Sequence, residues 1–181
     1  MCGFVGFFGG SEFDRMDTIL RRMGDSIVHR GPDAYGAWHD VQAGIALAHR
    51  RLSILELSDA GSQPMQSACG RYVIAFNGEI YNHLDLRKEL NLLSQPFSSR
   101  ERSTESWRGH SDTETLLVAI STWGIRTTLE RCIGMFAFAV WDKAKRTLTL
   151  ARDRIGEKPL YYGWQGSGSR RSEEHTSELQ S

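Results

Sequence analysis

The stretch MFAFAVW, Met135 to Trp141, decides how this chain is layered. Side chains of a strand alternate between its two faces, and here both sets are apolar, so the strand lies between two packed layers and neither face meets solvent. Working outward, Leu148 and Leu150 mark its hairpin partner, with Asp142 to Arg146 as the turn. Upstream, Ser111-Asp112-Thr113-Glu114 has the spacing of a capping box. It opens a helix with Leu116, Leu117, Ile120 and Trp123 as its buried stripe.

Further toward the N-terminus, Asn82 is placed to cap a helix bearing Leu86, Leu90 and Leu93 on one face, and Arg71 to Phe76 reads as a strand that stops at Asn77-Gly78. Ile45 and Leu47 alternate with Ala46 and Ala48 in a strand leading to His49. Met16, Ile19, Leu20, Met23 and Ile27 recur at helical spacing and end before Gly31-Pro32, and Gly3 to Phe8 reads as a first, buried strand. Tyr161-Tyr162 is expected to begin a last one. The serine-rich stretch between Leu93 and His110 has no period and reads as a surface loop with no assigned role. Helices set between hairpin-rich strands give a layered α+β domain.

The bulk numbers are those of an ordinary globular protein. The chain has 181 residues, 40% hydrophobic and 24% charged, with 22 basic against 22 acidic side chains, so no charge excess points to nucleic acid or a membrane surface. Cys2, Cys69 and Cys132 are odd in number and irregular in spacing, which offers neither a disulfide framework nor a metal pair and suits a reducing, cytoplasmic setting. The histidines show no metal-ligand spacing, and no G-x-x-x-x-G-K-[ST] or G-x-G-x-x-G is present. Arg171 to Ser181, RSEEHTSELQS, resembles the translation of a sequencing adapter and is set aside, with 166–181 as an unstructured tail.

Several short blocks can carry chemistry. Cys2 in MCGFVGFF reads either as a small buried apolar residue or, once Met1 is removed, as a thiol sharing its residue with a free α-amine, whose reference pKa of ~7.7–8.0 makes it a base near neutrality. FNGEIYN, Phe76 to Asn82, reads as a hairpin turn at Asn77-Gly78, or as an amide and a glycine N–H able to hold an oxyanion, or as both. His49 to Leu55, HRRLSIL, offers either a solvated basic pair or a guanidinium fork for a carboxylate. HSDTET, His110 to Thr115, reads as a helix cap made by Ser111 and Glu114, or as a cap whose first-turn Asp112 additionally holds an ammonium. HRGPD, His29 to Asp33, and ARDRIGEKPLYYG, Ala151 to Gly163, read as charged turns.

Taken together, MCGFVGFF, HRGPD, AHRRLSIL, FNGEIYN, HSDTE, GMFAFAVWD and ARDRIGEKPLYYG resemble, in order and spacing, the N-terminal glutaminase domain of glutamine-hydrolysing asparagine synthetases, a class II glutamine amidotransferase family. The resemblance runs from Met1 to about Gln165, which marks 1–165 as that domain. It implies an N-terminal-nucleophile hydrolase fold, a four-layer αββα sandwich of two antiparallel sheets between helical layers. It implies Cys2 as nucleophile and the Asn77 side chain with the Gly78 N–H as oxyanion hole. Arg51 would grip the α-carboxylate of L-glutamine, with Arg50 as its solvated neighbour; Glu79 and Asp112 would receive the α-ammonium, and backbone groups of Leu52, Ser53, Ile54 and Leu55 would line the pocket.

The same resemblance implies a synthetase domain that binds ATP and Mg and is not in this sequence, so no cofactor and no metal is expected here. Two other outcomes stay open at this stage. One is a truncated, inactive module that only docks to a synthetase partner. The other is a glutaminase serving an amidotransferase with a different carboxylate acceptor, such as a saccharide precursor.

Overall fold

A computed structural model describes residues 2–9, 15–52, 61–93 and 107–164. Two antiparallel sheets organise it. Strands β1 (Gly3–Phe8), β2 (Ala34–Asp40) and β3 (Ile45–Arg51) form one sheet in the order β1-β3-β2, so β3 is central and β1 is an edge. Strands β4 (Met65–Gln66), β5 (Tyr72–Ile80), β6 (Gly134–Asp142) and β7 (Thr147–Arg152) form the other in chain order. Helix α1 (Met16–Ser26) covers the outer face of the first sheet, and α2 (His83–Leu93), α3 (Asp112–Trp123) and α4 (Ile125–Arg131) lie on the side of the second.

Strand parity generates this layering. On β3, Ile45 and Leu47 face the second sheet and pack with Val73, Ala139 and Trp141, while Ala46 and Ala48 turn the other way onto Met16 and Leu20 of α1. On β5 and β6, Tyr72, Ile74, Phe76, Phe136, Phe138 and Val140 face the helices, where they meet Leu86, Leu116, Leu117 and Ile120. The apolar doublet on both faces of MFAFAVW therefore fills two separate cores, and the four-layer αββα sandwich expected from the sequence is the fold observed. Among the described residues no helix is long and apolar enough to cross a membrane.

Local details depart from the sequence-based expectations in six places. β1 is half-buried at a sheet edge instead of fully buried, because among the described residues only β3 pairs with it. β5 does not stop at Asn77-Gly78; it runs on to Ile80, since β6 pairs with it along its whole length, Asn77 opposite Ala137 and Gly78 opposite Phe136. Asn82 precedes α2, but its side chain bridges to Ile133 N–H (2.9 Å) and the Arg131 carbonyl (2.9 Å), joining α2 to the α4–β6 link instead of capping. Leu93 is exposed, so the buried stripe of α2 is Leu86 and Leu90. No strand begins at Tyr161 within the described residues. Asp153, in the block read as a charged turn, is buried and accepts from the backbone N–H groups of Phe136, Glu157 and Lys158, which folds that segment against β6.

Candidate active site

Those sequence-predicted site residues that lie within the described residues gather at one end of the space between the sheets. Cys2 continues the parity of Phe4, whose side chain packs into the inter-sheet core, and its half-buried sulfur accepts from the Leu52 N–H at 3.4 Å. That contact exists because β1 and β3 are antiparallel with Gly3 opposite Arg50, which sets Cys2 beside Arg51 and Leu52. On β3, His49 and Arg51 share the face of Ile45 and Leu47 and thus point between the sheets.

Arg50 has the opposite parity, and the structure corrects its expected role. It is buried, not solvated: its Nε donates to the Gly24 carbonyl at 3.1 Å, its Nη2 pairs with Asp25, and its guanidinium lies 4.7 Å from the centre of the Tyr35 ring. Arg50 ties the C-terminal end of α1 to the central strand. The HRGPD block works alongside it. A Cβ on Gly31 would strike the backbone of Arg50 and Arg51, and Asp33 N–H donates to the Arg51 carbonyl at 3.1 Å. That block is a close-packed support under the end of β3.

Across the gap, Asn77 and Glu79 share the face of Val73, so both point toward the first sheet, Asn77 buried and Glu79 at the exposed rim. The backbone alternates too. Asn77 and Glu79 direct their N–H and C=O groups at β6, whereas Phe76, Gly78 and Ile80 direct theirs to the opposite edge, which among the described residues no strand covers beyond the short β4. Side chains take the outer two. Phe76 N–H donates to Gln63 Oε1 (2.6 Å), and its carbonyl accepts from His49 Nε2 (3.1 Å); Ile80 N–H donates to Asp112 Oδ2 (2.9 Å). Between these two anchored residues the Gly78 N–H faces the same edge. Glycine is required there because a Cβ would fall on the Met135 carbonyl oxygen and the Phe136 Cα.

The electrostatics follow from burial. Burial pushes the His49 imidazole down to about 4, opposed by its bond to the Phe76 carbonyl and reinforced by Arg51, so near neutrality it is an uncharged ring. A carbonyl can only accept, which puts the single ring proton on Nε2. Asp112 sits at the first turn of α3, and burial raises its carboxyl above the usual range, while bonds from the Ile80 and Thr113 N–H groups pull it back. The predicted cap holds in one half: Ser111 Oγ accepts from Glu114 N–H at 3.2 Å. Glu114 itself turns away to the N–H groups of Arg108 (2.8 Å) and Gly109 (3.1 Å).

The structure therefore brings Cys2, Arg51 and Leu52 together on one sheet and Asn77, Gly78, Glu79 and Asp112 together on the other. His49 spans the two. Ser53, Ile54 and Leu55 lie outside the described residues. Sequence reasoning missed His49 and Gln63, which fix the strand carrying Asn77. The parity of His49 with Ile45 and Leu47 on a buried strand was the signal available; nothing local marks Gln63. Among the described residues no group of three or more His, Cys, Asp or Glu is arranged to hold a metal ion.

Comparison with known proteins bears on the family and the fold. The family described as "Glutamine amidotransferase domain" matches residues 1–180. The chain is 39% identical over 165 residues to asparagine synthetase [glutamine-hydrolyzing] 1 of Bacillus subtilis, covering 90% of this chain and 24% of that protein. It is 36% identical over 182 residues to a putative asparagine synthetase [glutamine-hydrolyzing] of Mycobacterium bovis, covering 93% and 26%. The chain thus spans about a quarter of the length of these curated relatives. Among solved structures, the glutamine phosphoribosylpyrophosphate amidotransferase of B. subtilis, complexed with ADP and GMP, shares the fold with a TM-score of 0.67 at 21% identity, over 92% of this chain and 40% of that one.

Proposed function

Since the chain belongs to the glutamine amidotransferase domain family, we propose that it hydrolyses L-glutamine to glutamate and ammonia, with Cys2 as the nucleophile at the head of the mature polypeptide. The observation that carries this reading is the placement of the Cys2 sulfur on the Leu52 N–H, beside Arg51 and on the inner face that Asn77 meets from the other sheet. A thiol packed only as an apolar residue has no need of these neighbours.

In the proposed reaction, removal of Met1 frees the α-amine of Cys2, which takes the thiol proton directly or through one water. The thiolate attacks the side-chain amide carbon of glutamine. The carbonyl oxygen becomes an oxyanion held by the Asn77 side-chain amide and the Gly78 N–H. The C–N bond then breaks, the protonated α-amine delivers its proton to the leaving nitrogen, and ammonia departs, leaving a thioester. Water attacks that thioester through a second oxyanion, releasing glutamate and restoring the thiol.

Substrate recognition divides between the sheets. Arg51 receives the α-carboxylate, with backbone groups of Leu52, Ser53, Ile54 and Leu55 lining the same pocket. Glu79 and Asp112 receive the α-ammonium. The raised Asp112 carboxyl fits a group whose charge is stabilised when an opposite charge arrives. We assign residues 1–165 to this domain and 166–181 to a tail outside it. The ammonia is proposed to serve an ATP- and Mg-dependent synthetase domain that amidates aspartate, with a saccharide-precursor carboxylate as the alternative acceptor. This chain itself is taken to need no cofactor.

The test is ammonia and glutamate release from glutamine by the purified chain beside a Cys2→Ala control. Equimolar products that vanish in the control support the proposal. Folded protein that binds a synthetase partner without turnover supports a docking module instead.

A further inference from the structure

Arg87 is a buried cation that the mechanism above does not use. It projects from α2 and is spent on the segment that leads into α3. Its Nε donates to Thr115 Oγ1 (2.7 Å), its Nη1 to the Gly109 carbonyl (2.9 Å), and its Nη2 to the Ser111 carbonyl (3.0 Å) and Glu114 Oε2 (3.4 Å). The Trp107 ring lies under the guanidinium at 4.0 Å. Glu114, equally buried, takes the N–H groups of Arg108 and Gly109 in return. Residues 107–111 belong to no helix or strand, so their backbone polar groups need partners elsewhere, and this one ion pair supplies them for the Gly109 and Ser111 carbonyls and the Arg108 and Gly109 N–H groups.

The next residue is Asp112. One Asp112 oxygen is fixed by the Ile80 N–H at 2.9 Å, which sets it beside Glu79 at the rim of the inter-sheet space. Where the other oxygen points depends on how the turn before it is held. A planar guanidinium can grip the Gly109 and Ser111 carbonyls and Thr115 at once; a lysine ammonium is a point charge and cannot reproduce that fork.

We propose that Arg87 is the positioning residue of the ammonium-binding arm: by clamping Gly109 and Ser111 it sets the Asp112 carboxylate against the α-ammonium of the substrate and so makes the enzyme select for an α-amine. This rests on the glutaminase reading above. Arg87 touches no reacting atom, and its effect passes through Asp112.

The experiment measures kcat and KM for L-glutamine and for the analogue lacking only the α-amine, 5-amino-5-oxopentanoate, in the full chain. The variants are Arg87→Lys, which keeps a charge opposite Glu114 and so guards against unfolding, Arg87→Met, and Thr115→Val. The last removes one Arg87 partner on the helix, and with it the Thr115 Oγ1 bond to the Ser111 carbonyl (3.4 Å), while sparing the Arg87 contacts to both turn carbonyls. The expected result is that the preference for glutamine, as the ratio of kcat/KM values, falls roughly tenfold in both Arg87 variants, the loss of a well-aligned charge-assisted bond. The fall comes through KM for glutamine with the analogue unaffected. Thr115→Val lowers Tm and keeps the preference.

Wild-type preference in Arg87→Lys and Arg87→Met overturns the inference, and so does an equal loss in Thr115→Val, since that would make it a consequence of stability alone. Wild-type protein without Cys2-dependent turnover overturns the glutaminase reading instead. Cys2-dependent turnover of both substrates at equal kcat/KM overturns the ammonium role of Asp112.

Discussion

His49 provides a test of the site's architecture that needs no substrate. It is 2% exposed, it bridges the sheets through the Phe76 carbonyl, and its imidazole is held down at about 4 by burial first of all. In the unfolded chain the same ring titrates near its reference value of ~6.5. Between these two values the unfolded state binds a proton that the native state refuses, so stability is intact above the upper value and is lost as the pH falls toward the lower one. Linkage puts the loss at about 2 kcal/mol between pH 7 and pH 5, and about 3 kcal/mol by pH 4.

The perturbation is His49→Gln, whose amide N–H can replace Nε2 as donor to Phe76 without titrating. The assay is urea unfolding at a series of pH values, comparing the stability of the two proteins. Both lose stability from carboxylates such as Asp142, which the Arg71 side chain holds below the usual range; that loss comes below its ordinary value of 3.8. Only the wild type should lose the additional 2 kcal/mol between pH 7 and pH 5. Parallel pH profiles over that interval would refute the claim that His49 is a buried neutral spacer between the sheets.

Three further outcomes follow from the same geometry. Asn77→Ala should lower kcat for glutamine by about 10²–10³ with little change in KM, the effect of losing one oxyanion donor, while Arg51→Ala should act mainly on KM; steady-state kinetics separate them. Gly78→Ala should destabilise by about 3 kcal/mol, visible as a fall in Tm, because the added Cβ meets backbone on β6 that has no room to yield. Arg50→Met should cost about 2 kcal/mol of folding stability through its contacts to Gly24 and Asp25, yet leave KM for glutamine near wild type, in contrast with Arg51.

Much of the layering was legible because it depends on patterns with a fixed period. The doubled apolar faces of Met135 to Trp141 required two flanking layers, and Ile45 to Ala48 showed the same pattern more weakly; both sit at sheet centres. Asn77-Gly78 misled because a local turn preference was weighed without β6, whose pairing along the whole strand overrides it. β2, AYGAWHD, carries small and polar residues without clean alternation, since neither of its faces is fully covered, so no strand was expected there. The two-residue β4 and the seven-residue α4 are too short to leave a clear periodic signal.

Arg50 and Arg51 show what the sequence could have yielded with one more step. Adjacent residues of a strand point to opposite faces, so at most one of the pair could share the inner face with Leu47; the other had to find partners on α1, as Arg50 does with Gly24 and Asp25. The positioning contacts were beyond such reasoning. Gln63 and Phe76, or Arg87 and Gly109, are brought together only by the packing of separate layers, and no spacing in the chain encodes them.

The central claim is that the thiol and the amino group of one residue, Cys2, together perform the hydrolysis. Intact-mass analysis and glutamine turnover on the same preparation test it most directly. The account predicts ammonia and glutamate in equal amounts, a rate proportional to the fraction of chains that begin at Cys2, and none from Cys2→Ala. Full turnover by chains that still carry Met1, or turnover that survives the loss of the Cys2 thiol, would contradict it.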